Sequence, residues 1–184
     1  MSLIAGVLMF LAIFQQRNFL LRYTDDEVTQ KTFGVNAFAA SPVIGEYIQK
    51  NSPPEETVAV IGSEPQIYFY SKRKSATGYI YMYPLKEKHP FCQEMQREMI
   101  QQIEDARPLF IVYVHVKDSW PQPKEEPYTD LPSWYPTYLK EHYRLAGLVE
   151  LQKDRSTVTW SSQSSPIPIP DESREWVGIY RRNE

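Results

Sequence analysis

The stretch Thr57 to Tyr83, TVAVIGSEPQIYFYSKRKSATGYIYMY, constrains the fold more than any other part of the chain. Val58, Ala59, Val60 and Ile61 form an apolar run without polar alternation, the pattern of a strand covered on both faces as in a parallel sheet. Gly62 ends the run. The residues after it compose a capped helix start, with Ser63 as cap, Glu64 and Pro65 in the first turn and Gln66 at the capping-box position. The spacing predicts a helix over about 65–72, with Arg73 and Lys74 complementing its dipole, then a turn at Gly78 into a second strand, Tyr79 to Tyr83. Strand, helix and strand in this order open an α/β domain.

The rest of the chain extends the pattern. Ser41-Pro42 opens a helix with Val43, Ile44, Tyr47 and Ile48 on one face, and Asn51-Ser52-Pro53-Pro54 stops it. Phe91, Met95, Met99, Ile103 and Ala106 recur at helical intervals, and Leu109 to Val116, LFIVYVHV, reads as a central strand. A short helix is expected over Ser133 to His142 despite Pro136. Strands follow at Tyr143 to Leu151 and Thr157 to Trp160, around a turn at Lys153-Asp154-Arg155, and the last strand is Glu175 to Arg181. The expected fold is α/β, a three-layer, Rossmann-like and mostly parallel sheet with C-terminal antiparallel strands, forming one domain over 41–184.

Before that domain, Leu3 to Phe14 carries no charge, yet a bilayer span needs roughly 20 apolar residues. Three readings compete: the end of a truncated transmembrane helix over 1–17, a signal-peptide core, or a buried soluble helix. A signal peptide wants a basic residue before its core and a small-x-small site after it, and neither is present. The truncated span is therefore the working expectation, with 18–40 as a polar connector.

Several chemistries are disfavoured. A net charge of -3 gives no broad footprint for nucleic acid. The single Cys92 excludes an intrachain disulfide and a cysteine-built zinc site, and His89, His115 and His142 have no metal-ligand spacing. No GxGxxG, GxxxxGK[ST] or GxSxG motif occurs, and the carboxylate pairs Glu125-Glu126 and Asp171-Glu172 sit in Pro-rich loops. No metal, cofactor or catalytic residue is expected.

The opening segment resembles the C-terminal soluble region of bacterial GT-C membrane glycosyltransferases, the group of protein O-mannosyltransferases and the aminoarabinose transferase of lipid A. Gly62, Ser63, Glu64, Pro65, Tyr68, Tyr70, Arg73, Ala76, Thr77, Tyr79 and Tyr81 carry the resemblance, which continues more weakly through Pro108 to Val116 and Ser119-Trp120. It implies an extracytoplasmic (periplasmic) domain following a final membrane span. In that family a sugar moves from a polyprenyl-phosphate donor, and the catalytic carboxylate lies in the first loop after the first span. The resemblance thus implies an accessory domain, inactive alone, whose partners are the membrane body of its parent and a lipid-linked sugar or glycan acceptor.

Six residues are candidates for binding. Ser63, Glu64 and Gln66 lie where a strand ends and a helix begins, a place that attracts anions, although a structural cap explains the same residues. Arg73, within Lys72-Arg73-Lys74, suits a lipid phosphate or simply a solvated helix end. Tyr79 and Tyr81 share a strand face that suits a sugar ring or ordinary packing. A membrane-anchored binding or interaction module and a small soluble enzyme acting on a phosphate-bearing ligand are the alternatives to the accessory domain.

Overall fold

The computed structural model describes residues 2–121, 128–153, 155–161 and 167–183, so Glu125-Glu126 and Asp154 lie outside the described residues. The chain divides into two compact units, Met1–Gly34 and Val35–Glu184.

The first unit holds α1 (Ser2–Gln15), α2 (Arg17–Leu21) and α3 (Asp25–Phe33). α1 exposes its apolar side chains, Leu3 at 84% and Phe10 at 66%. Its 14 residues rise only about 21 Å at about 1.5 Å each, short of a hydrocarbon core of roughly 30 Å. Among the described residues no helix is long and apolar enough to cross a membrane. The stretch expected as a connector is largely helical. At its second helix Thr24 Oγ1 accepts from the Glu27 N–H at 3.3 Å while the Glu27 carboxylate accepts from the Thr24 N–H at 2.8 Å, a reciprocal cap.

The second unit is built on one six-stranded mixed sheet. Its helices are α4 (Ser41–Lys50), α5 (Gln66–Ser71), α6 (Cys92–Ala106) and α7 (Asp130–His142). Its strands are β1 (Thr57–Ile61), β2 (Lys74–Ser75), β3 (Phe110–His115), β4 (Tyr143–Gln152), β5 (Arg155–Trp160) and β6 (Glu175–Arg182), in the spatial order β2-β1-β3-β6-β4-β5. Parallel pairing is confined to β1 and its two neighbours. β6 inserts between β3 and β4 and pairs antiparallel with both, and β4 pairs antiparallel with β5. The sheet is parallel around β1 and antiparallel through β4, β5 and β6, as expected of the C-terminal strands; it is mixed and not mostly parallel, because β6 inserts beside β3 and adds a third antiparallel pair.

Successive strand residues enter two different cores. Val58, Val60, Val112 and Val114 pack with Ile44 and Ile48 of α4 and Ile67 of α5. Ala59, Ile61 and Ile111 pack instead with Met99 and Ile103 of α6 and Leu131 and Leu139 of α7. Burial on both sides is why β1 and β3 lack polar alternation. Each such fully buried Ile or Leu contributes about 2 kcal/mol by leaving water.

Two local expectations are corrected. The strand partner of β1 is Lys74–Ser75, whereas Tyr79 to Met82 is irregular and Tyr83–Leu85 is a single 3-10 turn. Thr77 Oγ1 accepts from the Tyr79 N–H at 3.1 Å and donates to the Tyr79 carbonyl at 2.9 Å, so side-chain bonds take the groups a ladder would use. Nor does Ser63 cap α5: the helix starts at Gln66 after Pro65 without a side-chain cap. Gly62, at φ 155°, redirects the chain where a Cβ would lie 2.5 Å from Val114 Cβ. Ser63 Oγ then accepts from the Met82 N–H at 3.0 Å instead.

Candidate functional site

The carboxyl end of β1 is a closed network. The Ser63 N–H donates to Ser119 Oγ at 2.7 Å, while Ser63 Oγ holds Met82. Glu64 is buried and accepts from the Gln66 side-chain amide. Burial raises its carboxyl above the usual glutamate range, opposed by hydrogen bonds from Gln66 and Ser119. Here Glu64 and Gln66 are paired with each other, and Ser63 with Ser119 and Met82.

Arg73 sits elsewhere and is also occupied. Its side chain is 7% exposed. Its guanidinium donates to Ser52 Oγ at 2.9 Å and to the carbonyls of Gln49 at 3.0 Å and Ser52 at 2.6 Å. Those carbonyls lie at the end of α4, where a helix leaves acceptors without intrahelical donors. Lys72 and Lys74, by contrast, are exposed. Tyr79 donates its hydroxyl to Glu98 Oε2 at 2.5 Å, and Tyr81 stacks on Tyr83 with ring centroids 4.6 Å apart. Desolvation, then the hydrogen bond and charge of Glu98, push the Tyr79 hydroxyl up to about 12.

A different site opens at the carboxyl end of β3, on the face toward α7. Two adjoining cavities of about 420 and 520 Å³ share Tyr113, His115, Tyr135 and Glu172 as walls. The sheet register makes their floor: His115 lies opposite Trp176 and Tyr113 opposite Gly178. A Cβ on Gly178 would come within 2.7 Å of the Tyr180 ring and 3.1 Å of the Trp176 ring, so only glycine leaves those rings their places. Tyr113 stacks on Tyr135 of α7 at 4.5 Å with their hydroxyls 2.7 Å apart, and His115 stacks on Trp176 at 5.2 Å.

The two cavities differ in chemistry. One is walled by Pro136, Leu139, Tyr143, Ile169, Trp176 and Tyr180. The other is walled by Trp120 with Lys86, Lys117, Arg174 and Glu175. Lys86 Nζ stands 5.4 Å over the Trp120 ring, whose indole N–H donates to the Val114 carbonyl at 2.7 Å. Glu175 accepts from the Lys117 backbone N–H at 3.2 Å, Arg174 is paired with Glu150 at 3.0 Å and His115 Nε2 is 3.1 Å from the Glu172 carbonyl.

These rings supply hydrogen bonds rather than bases. Desolvation and the neighbouring Tyr135 hydroxyl push Tyr113 far above the usual tyrosine range, and burial pushes Tyr180 up to about 12. Both remain protonated at neutral pH. Trp176 is buried, and its indole N–H has no acceptor among the described residues. A buried donor left without a partner is costly.

Sequence reasoning missed this cleft, although a signal was present. Tyr113 and His115 on one strand, and Trp176, Gly178 and Tyr180 on another, each follow the period of 2 that puts side chains on one face. Only the register shows that the two faces are the same one. No protein family, curated protein or solved structure matches this chain.

Proposed function

We propose that the chain is a non-catalytic, sugar-binding accessory domain of a membrane glycosyltransferase that uses a polyprenyl-phosphate donor, and that the ring-walled cleft is its binding site. The cleft carries this reading: aromatic walls beside protonated tyrosine hydroxyls suit the C–H face and hydroxyls of a sugar. Assignment to the glycosyltransferase rests on the resemblance of Gly62 to Tyr81, and with it come an extracytoplasmic position at the cell membrane and the membrane body as partner. The exposed apolar helix α1 supports attachment to a membrane or to that body. With α4 and α5 lining one core and α6 and α7 the other, the sheet reads as the middle of a three-layer, Rossmann-like domain. The same features serve a membrane-anchored binding module that belongs to no enzyme.

Titration of the chain with a panel of saccharides, followed by tryptophan fluorescence and by saturation-transfer NMR, tests the binding. A saturable response that weakens on Tyr135→Ala is the expected result, and a flat response across the panel overturns it. The natural coding region tests the enzyme assignment. Hydrophobic spans upstream of Met1 are expected, whereas a natural start at Met1 overturns the glycosyltransferase and leaves the binding module.

A further inference from the structure

Most guanidinium groups of this chain are spent inside it. Arg97 pairs with Asp130 at 2.7 Å, Arg174 with Glu150 at 3.0 Å, and Arg73 holds the carbonyls that end α4. Arg107 differs. It follows the last turn of α6 at a φ of 43°, and its carbonyl accepts from Arg182. Its side chain is exposed, and among the described residues the guanidinium makes no hydrogen bond and no ion pair. It lines a groove of about 560 Å³ between α6 and α7, together with Glu104, Trp134, Tyr138, Glu141 and His142. The groove has no wall residue in common with the ring-walled cleft. Trp134, Tyr138 and Glu141 stand at i, i+4 and i+7 of α7 and so share one helix face, and the two rings stack at 4.5 Å. Glu104 Oε1 accepts from the Trp134 indole N–H at 2.7 Å, and the Glu141 carboxylate lies 3.9 Å from His142 Nε2. Among the described residues neither carboxylate pairs with Arg107. Desolvation raises the Tyr138 hydroxyl above the usual tyrosine range, a hydrogen bond with Tyr143 opposes it, and the charges of Glu104 and Arg107 act on it with opposite sign. Both charges therefore lie close to the same ring.

Opposite charges that share a groove without pairing complement a molecule that carries both signs. We propose that this groove binds a small zwitterion, an ammonium joined to an oxyanion. The ammonium lies against the Trp134 and Tyr138 wall, where ring faces and the two carboxylates attract a cation, and the oxyanion takes the fork of Arg107. A cation alone would use the rings and carboxylates but would meet Arg107 as a like charge. A bare oxyanion would use Arg107 and meet Glu104 and Glu141 in the same way. Only a ligand with both ends turns every one of these charges to advantage. The site stands apart from the saccharide reading, because it lies in a different groove and takes a different ligand.

The test is calorimetric titration of the whole chain with choline, phosphocholine, glycerophosphocholine, glycine betaine and inorganic phosphate, each at low and at physiological salt. At least one zwitterion is expected to bind about tenfold or more tightly than choline, as one charge-assisted contact implies, and to weaken with salt. Preference for glycerophosphocholine identifies a lipid headgroup, for phosphocholine a free phosphate ester and for betaine a carboxylate, and each supports the proposal. In Arg107→Gln the zwitterions should fall to the level of choline, while choline itself does not weaken. In Glu141→Gln choline and the zwitterions should weaken together. Both side chains are exposed, and thermal melting checks that the variants fold. Choline binding as tightly as every zwitterion overturns the inference, because Arg107 would then contribute nothing. Inorganic phosphate binding as tightly as phosphocholine overturns it from the other end. An Arg107→Gln protein that keeps the wild-type preference, or a flat response to all five compounds, overturns it as well, and in each case the saccharide reading of the cleft is left standing.

Discussion

Two neighbouring strand ends are built from similar materials and come to opposite states. At the end of β1, Glu64 is satisfied by Gln66, and Ser63 by Met82 and Ser119. At the end of β3, Tyr113, Tyr135 and Trp176 wall a cleft, and the Trp176 N–H has no acceptor among the described residues. The carboxyl edge of an α/β sheet favours ligands in general. The difference here teaches that position alone does not make a site: the polar groups must also be left unspent.

The largest effect expected on this contrast comes from Arg73, which belongs wholly to the spent kind. Arg73→Ala strips the Gln49 and Ser52 carbonyls of their buried donor and should cost about 3 kcal/mol, read from a urea midpoint. Arg73→Lys should recover only part of this, because an ammonium cannot reproduce the fork that spans Ser52 Oγ and two carbonyls. Sugar affinity measured well below the midpoint should stay at its wild-type value. A stable Arg73→Ala protein with weakened binding would place Arg73 in the binding site and not in the framework.

Gly178→Val attacks the other end. The added side chain must displace the Tyr180 and Trp176 rings, at a cost of about 2 kcal/mol for overpacking. It should also abolish sugar binding and shift the Trp176 emission in a protein that still folds. Wild-type affinity in this variant would remove the floor of the cleft from the site.

How much of this was legible follows from distance along the chain. The face of α4 with Ile44 and Ile48, and that of α6 with Met99 and Ile103, were readable because a helix carries its period within itself. The β3 run was readable because an uninterrupted apolar stretch is likewise a local signal. β2 was not, since two residues become a strand only through their pairing with Thr57 and Val58. Arg73 read as part of an exposed basic cluster because its acceptors belong to a helix end more than twenty residues earlier. The cleft is the extreme case: Tyr113, Tyr135 and Trp176 meet only once β6 has inserted beside β3 and α7 has packed on that face.

Ser119 sharpens the comparison because it stands between the two ends. Its Oγ accepts from the Ser63 N–H, and the next residue is the Trp120 of the cleft wall. Ser119→Ala should cost about 1–2 kcal/mol in thermal or urea denaturation by leaving the Ser63 amide unmatched. A modest fall in sugar affinity is expected as Trp120 in the cleft wall loosens. Unchanged stability would show that the β1 network is not held from the β3 side.

The finest effect is a slope rather than a step, and it belongs to Glu64. Burial raises its folded-state pKa above the ordinary glutamate value of about 4.3, with Gln66 and Ser119 opposing the rise. Between that value and the raised one, the folded chain holds a proton that the unfolded chain has released. Stability from this group is therefore complete at low pH and declines as pH rises through the window. Glu64→Gln keeps an acceptor for the Gln66 amide and removes the titration. The stability of the wild type minus that of the variant, measured by urea unfolding at successive pH values, should fall across the window and level off above it. A difference that rises with pH would mean that the hydrogen bonds to the carboxylate outweigh its burial. The β1 end would then hold a stabilised anion, and it would resemble the binding edge it was contrasted with.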